Sequence, residues 1–488
     1  MNKPLRRIAL FCGLLVLALL VRDNWLQYVR ADELNTRTEN RRVQIERYAH
    51  ERGNIIVDGS AITGSTETKG SDFKYKTTWK DGPMWAPVTG YASQAFGATQ
   101  LEKLNDSILT GNDDRLFFDR TLSMFTGEKK QGGNVVTTLN ADAQKAAFKG
   151  LGDKKGAVAA LDPKTGAILA MASTPSYDPS VFAGNSINTD SKNYNKLKAD
   201  KDEPMLNRAL RQTYPPGSTF KVVTAAAALE NGLYTDVNAK TRSPLPYYLP
   251  DTDHLPLDNE GNIPCKNATM MVALQWSCNT VFGKISADLG NDKMRAEAEK
   301  FGFNDPKLDT PVRAAESVYP TDNRPQNAMD GIGQASNRAT PLQMAMVASA
   351  VANDGKLMEP YMVDSLQAPN FNVIEKHEPK ELSRPVSAEN AQKLQAMMEN
   401  VVQKGTGKNA QMQGVTVGGK TGTAQNGVHN SGKPYAWFIS YAKTADGSPV
   451  AVAVVVEDSK ATGPDVSGGG LAAPIAKDVM QAVINSKK

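Results

Sequence analysis

The first sharp feature along the chain is a run of 14 uninterrupted apolar positions, residues 8–21, behind a short basic leader. Fourteen residues suit the core of a secretory signal better than a bilayer span, which needs about 20. No small-x-small cleavage site follows directly, however, and helix-compatible sequence continues through Trp25, Leu26, Tyr28 and Val29. The expectation is an uncleaved signal anchor in residues 1–30, with Lys3, Arg6 and Arg7 cytoplasmic, Arg22 snorkelling and the body outside. A cleaved signal is the alternative.

Residues 31–140 are polar, with short strand-like pieces such as 52–59, a strand closed by an Asp58-Gly59 turn. The texture changes near residue 140. Apolar runs at 157–161 and 168–173 flank Asp162-Pro163-Lys164-Thr165-Gly166, which reads as a hairpin. A polar loop at 184–203 leads to Tyr214-Pro215-Pro216-Gly217, a rigid turn. Ser218 then occupies a helix N-cap position before a helix over 222–230. Helical sequence follows at 269–284 and 341–353, then strands at 438–442 and 450–456 and a closing helix from Pro474. Strands flanking a helical middle predict an α+β fold, helices packed on an antiparallel sheet. The expected divisions are 1–30 (tail and anchor), 31–140 (a spacer or docking domain) and 141–488.

Composition narrows the chemistry. The 488 residues carry a net charge of only +4, and no basic block with interleaved aromatics occurs, so nucleic acid is set aside. Four histidines (50, 254, 377, 429) form no metal-ligand spacing and leave a His-based triad little to draw on. No zinc site is expected. Of three cysteines, Cys12 lies in the apolar run, and Cys265 and Cys278 are expected as free thiols.

A serine enzyme here needs another base, and Ser218-x-x-Lys221 offers one: three residues apart on a helix, the two side chains share a face. The spacing alone is weak, since Ser71-x-x-Lys74 and Ser440-x-x-Lys443 match it too. Ser71 lies in polar sequence without helical pattern, and Ser440 lies in a strand, where residues three apart face opposite ways. Downstream, Ser277-Cys278-Asn279 fits a short connecting loop, and Lys420-Thr421-Gly422-Thr423 reads as a strand edge lining a cleft. Ser186-Ile-Asn188, Ser191-Lys-Asn193 and Lys164-Thr-Gly166 are decoys without that context.

The order S-x-x-K, S-x-N, K-T-G is the motif set of penicillin-recognising serine enzymes. The resemblance extends to Arg52-Gly53-x-Ile55-x-x-Asp58, residues 161–171, Asn207-Arg208-Ala209, Gly333-Gln334, residues 340–343, Ala436-Trp437-Phe438 and Ala472-Ala473-Pro474. The chain thus resembles class B penicillin-binding proteins over nearly its whole length, most of all the compact penicillin-binding protein A group of actinobacteria. It lacks the Arg often found after the motif's Asp58.

The groups suggest a mechanism. Burial and a second cation, Lys420, would depress the Lys221 pKa so that it can serve Ser218 as base. Ser277 can relay a proton, and Asn279 can hold Lys221 and a substrate amide. Gly422 leaves room for a substrate backbone, and the Thr421 and Thr423 hydroxyls suit its carboxylate. The resemblance implies a penicillin-binding transpeptidase fold with a small pedestal domain, and an oxyanion hole at the N–H groups of Ser218 and Thr423. It further implies D,D-transpeptidation of peptidoglycan stem peptides, acylation by β-lactams, and membrane glycosyltransferase and division or elongation partners. A D,D-carboxypeptidase, a β-lactamase and a β-lactam sensor are the alternatives.

Overall fold

The apolar N-terminal run becomes one helix, α1 (Lys3–Tyr28), with no side chain buried in the protein. Its 26 residues span about 39 Å at 1.5 Å per residue, enough for a hydrocarbon core of about 30 Å. Among the described residues it is the one helix long and apolar enough to cross a membrane. Arg22 lies over the Trp25 ring at 4.7 Å, as interfacial residues at a helix end do. The computed structural model describes residues 3–35, 37, 41–69, 73–127, 129–426, 432–458 and 467–487.

The strand and Asp-Gly turn expected over 52–59 form the first part of a hairpin. β1 (Ile55–Val57) and β2 (Ser60–Ala61) pair antiparallel around Asp58 and Gly59, both at positive φ. β3 (Asn134–Thr137) joins β1 in parallel. Arg52, just ahead of β1, is buried and fully engaged: Nε donates to Glu102 Oε2 (2.8 Å), Nη1 to Asp106 Oδ1 (2.7 Å) and Nη2 to the Glu102 carbonyl (2.8 Å). A buried guanidinium is tolerable only when paired this completely.

Past α2 (Ala141–Leu151) comes the hairpin of β4 (Lys155–Leu161) and β5 (Ile168–Thr174). Then follow α3 (Lys221–Glu230), α4 (Met270–Trp276), α5 (Asn279–Leu289) and α6 (Pro341–Ala352). The chain next returns to the N-terminal region. β6 (Val363–Gln367) pairs antiparallel with β3, and β7 (Val373–Lys376) with β6, so that sheet runs β7-β6-β3-β1-β2. Sequence texture could not show that residues 363–376 complete it.

After α7 (Ala388–Lys404), β8 (Thr416–Asn426), β9 (Gly432–Thr444) and β10 (Gly447–Asp458) complete the main sheet, and α8 (Ala473–Ser486) closes the chain. The antiparallel order is β8-β9-β10-β4-β5, with β8 at an edge. The strands read as apolar runs because both faces are covered. In β10, Ala451, Ala453 and Val455 join the core of α3 and α6, while Val450, Val452, Val454 and Val456 join that of α8 and α2. α3 is buried on every side from Lys221 to Leu229, so it is the central helix rather than a surface one.

Three expectations need correction. The 269–284 stretch is two helices, because Ser277 takes the left-handed conformation (φ 62°) and ends α4 before α5 starts at Asn279. Cys265 and Cys278 are not free: they form a disulfide across a sequence separation of 13. Closing such a loop stabilises by about 3 kcal/mol through the unfolded chain. Ser218 is not the N-cap of α3 either. It lies inside a tight 3-10 turn (Gly217–Phe220), and α3 begins after it at Lys221.

Candidate active site

The turn carrying Ser218 is held by its neighbours. Gly217 adopts φ 53°, open to glycine without a Cβ penalty, and its N–H donates to the Gly333 carbonyl at 2.9 Å. Thr219 Oγ1 donates to the Pro216 carbonyl (2.6 Å), and Trp437 Nε1 to the Pro215 carbonyl (3.0 Å). Ahead of it, Tyr214 packs edge-on to Trp437 and donates to Glu457, which also pairs with buried Arg208. Residues three apart eclipse in a 3-10 turn, so Ser218 and Lys221 share a face without the capping geometry expected of them.

Lys221 and Lys420 are both fully buried. Lys221 Nζ donates to Asn279 Oδ1 (2.6 Å) and to the Ser277 carbonyl (2.7 Å), and lies 3.3 Å from Ser277 Oγ. Lys420 Nζ donates to Ser277 Oγ (2.9 Å) and to the Thr421 carbonyl (2.8 Å). The left-handed turn at Ser277 thus puts one hydroxyl between two amines. Burial first, and the Lys420 charge second, push the Lys221 pKa well below its ordinary value. Burial likewise lowers Lys420 to about 7.

That shift has a stability consequence. Between about 7 and the ordinary 10.5 the unfolded chain binds the proton that folded Lys420 has lost, so folding stability rises with pH there. Below about 7 the cost of burying the ammonium is fully present. Lys420→Met removes this dependence. The melting temperature of the wild type relative to Lys420→Met is therefore expected to be lowest near pH 6 and to climb toward pH 10. A difference that stays constant with pH contradicts the assignment.

Ser218, Ser277, Asn279, Thr421 and Thr423 line one cleft of about 390 Å³. On edge strand β8, Thr421 Oγ1 is 2.6 Å from Thr406 Oγ1. Gly422 is also tightly packed: a Cβ there would lie 3.0 Å from both Thr219 Cγ2 and Trp437 Cβ. The decoys fall away. Ser440 is buried in β9 while Lys443 is exposed, and Ser186, Asn188, Ser191 and Asn193 lie on a separate helix (Ile187–Lys198) or its cap. Ser71 lies outside the described residues.

Sequence reading missed Glu260, Thr406 and the Gly468–Gly469 segment, all of which line the cleft. The triple-glycine run beginning at Gly468 was a usable sign of close backbone approach. Glu260 and Thr406 sit in loops with no motif of their own. Among the described residues no group of His, Cys, Asp and Glu side chains could hold a metal ion.

Comparison with known proteins places the chain. Residues 156–481 match the penicillin-binding protein transpeptidase domain, and residues 52–135 the penicillin-binding protein A dimerisation domain. The chain is 38% identical to the peptidoglycan D,D-transpeptidase PbpA of Mycolicibacterium smegmatis over 99% of both chains. It is also 38% identical to the Mycobacterium tuberculosis PbpA over the full length of both. The structure of a ceftriaxone acyl-enzyme complex of penicillin-binding protein A from M. tuberculosis superposes with a TM-score of 0.84 at 37% identity, covering 90% of this chain and all of that one. A transpeptidase-domain structure from Eggerthella lenta follows with a TM-score of 0.75 at 31% identity, over 90% of this chain and 99% of that one. With both family domains in order and full-length relatives at this identity, the chain belongs to the class B penicillin-binding proteins, the peptidoglycan D,D-transpeptidases.

Proposed function

We propose that Ser218 is the nucleophile of this transpeptidase and that neutral Lys221 accepts its proton. The observation that carries this reading is the pair of buried lysines gathered around Ser277. A neutral amine has two N–H donors and one lone pair. Lys221 commits two donors to Asn279 Oδ1 and the Ser277 carbonyl, which leaves the lone pair for a hydroxyl proton. Ser277 Oγ accepts from Lys420 and can pass its own proton on, so it suits the relay to the leaving amine.

Ser218 Oγ attacks the carbonyl of the D-Ala-D-Ala bond, the C–N bond breaks, and terminal D-Ala leaves with the proton delivered through Ser277. The N–H groups of Ser218 and Thr423 are assigned to the developing oxyanion, Asn279 to a substrate amide, and the Thr421 and Thr423 hydroxyls to the terminal carboxylate. Gly422 keeps β8 close to the nucleophile turn. The acyl group then passes to an amine of a second stem peptide. β-Lactams acylate the same serine, a reading supported by the acyl-enzyme complexes of the M. tuberculosis relative.

The basic leader and α1 support a single-pass anchor in the plasma membrane, with residues 31–140 as pedestal and residues 141–488 as transpeptidase outside the cell. A disulfide from the middle residue of the S-x-N motif to Cys265 fits an oxidising compartment. The partners assigned are a membrane glycosyltransferase and the division or elongation machinery.

The test offers purified full-length protein in detergent a stem peptide ending in D-Ala-D-Ala, with a D-amino acid as acceptor. Exchange of the terminal residue is the expected result. Hydrolysis alone, even with abundant acceptor, would make the enzyme a carboxypeptidase.

A further inference from the structure

Glu260 is the one charged residue among the described residues that line the cleft, and its carboxylate is exposed there. Its loop is strapped to the S-x-N turn at several points. Asn279 Nδ2 donates to the Asp258 carbonyl (3.1 Å), and the Thr280 N–H donates to Asn259 Oδ1 (3.1 Å). Asn259 Nδ2 donates to Thr280 Oγ1 (3.1 Å), and the Cys265–Cys278 bond closes the far end. These bonds anchor Asp258 and Asn259, the two residues just before Glu260, beside the S-x-N turn. The first of these straps also orients the amide whose Oδ1 accepts from Lys221. The Glu260 charge reaches both amines beneath, opposing the fall in their pKa values.

A carboxylate at this mouth repels the anionic terminus of the donor and attracts a cation. We propose that Glu260 binds the primary ammonium of the acceptor strand and so favours transfer of the acyl group to an amine over transfer to water. This rests on the Ser218 acyl-enzyme described above. The acceptor arrives as R–NH₃⁺, gives one proton to solvent, and attacks the ester carbonyl as R–NH₂. The C–N bond forms and the C–Oγ bond to Ser218 breaks. The amine's second proton passes through Lys221 or Ser277 Oγ to Ser218 Oγ, which regains its hydroxyl.

The experiment compares full-length wild type with Glu260→Gln. The donor is the thioester N-benzoyl-D-alanylmercaptoacetate, which carries no ammonium, and the acceptor is subsaturating D-alaninamide. The aminolysis-to-hydrolysis ratio is expected to fall about fivefold in the variant, the scale of an exposed ion pair. Raising the salt should narrow the gap between the two proteins, because an exposed carboxylate is screened. Glu260→Asp should recover part of the ratio. Penicillin acylation involves no acceptor and serves as control. Losing the Glu260 charge lets the Lys221 pKa fall further and relieves repulsion of the penicillin carboxylate, so acylation should hold or rise in the variant. Its absence in the wild type would instead refute the Ser218 reading.

An unchanged ratio overturns the proposal. So does an equal loss in penicillin acylation, which would place Glu260 with the nucleophile. A second arm uses a stem-peptide donor with a free side-chain amine and its N-acetylated form. If Glu260→Gln slows only the free-amine donor, the ammonium comes from the donor strand and the acceptor assignment is wrong.

Discussion

Membranes carrying Ser218→Ala are expected to show no covalent labelling by a fluorescent penicillin, while wild-type membranes label at once. The loss should be at least about 10⁴-fold in acylation rate, because the bond-forming atom is gone. The substitution is chosen because it spares the fold. The turn is held by Gly217, Thr219 and Trp437, through hydrogen bonds that the Ser218 hydroxyl does not enter. Ser218 is half-buried at the cleft wall, and alanine fits the same backbone. Labelling that survives would move the nucleophile elsewhere. The rival Ser440 is buried inside the main sheet, out of reach of any ligand in the cleft.

Lys221→Ala is expected to lower acylation by about 10²–10⁴, the usual contribution of a positioned base. The more diagnostic variant is Lys221→Arg. A guanidinium keeps its proton at any accessible pH, so it preserves a cation without supplying a base and should fail equally. The pH profile separates the two roles. In the wild type, acid protonates Lys221, so the acylation rate falls as pH drops through its lowered pKa. Both variants should lose that acidic limb and leave a low, flat rate. A Lys221→Arg protein as fast as wild type would show that charge, not proton transfer, is what the site needs.

Much of this site was legible because its signals are local. The lead-in Tyr214-Pro215-Pro216-Gly217 announces a turn, and the apolar runs at 157–161 and 450–456 announce strands by composition and length. What stayed hidden depends on distant partners. The Cys265–Cys278 bond requires the 258–265 loop to fold back on α5, which spacing cannot reveal. The break at Ser277 was half legible: Ser277-Cys278-Asn279 suits a connecting loop, yet the run 269–284 around it reads as helix. The left-handed residue that ends α4 meets lysines from two distant elements, which local pattern does not encode. Ser218 was placed at a cap by its residue type, yet the tight turn that starts at Gly217 moves the helix start to Lys221. The hairpin at 363–376 pairs with β3 more than 200 residues away, a long-range match that local pattern does not encode.

The central claim is that Lys221 is a neutral amine beside the nucleophile, and it can be observed directly. Nuclear magnetic resonance of the full-length protein, with the lysine ε-carbon and ζ-nitrogen labelled, follows the Lys221 signal, assigned by its loss in Lys221→Arg. The account predicts that the amine loses its proton well below the ordinary 10.5, because burial and the Lys420 charge disfavour the ammonium. An ammonium signal persisting beyond the ordinary 10.5 would contradict it.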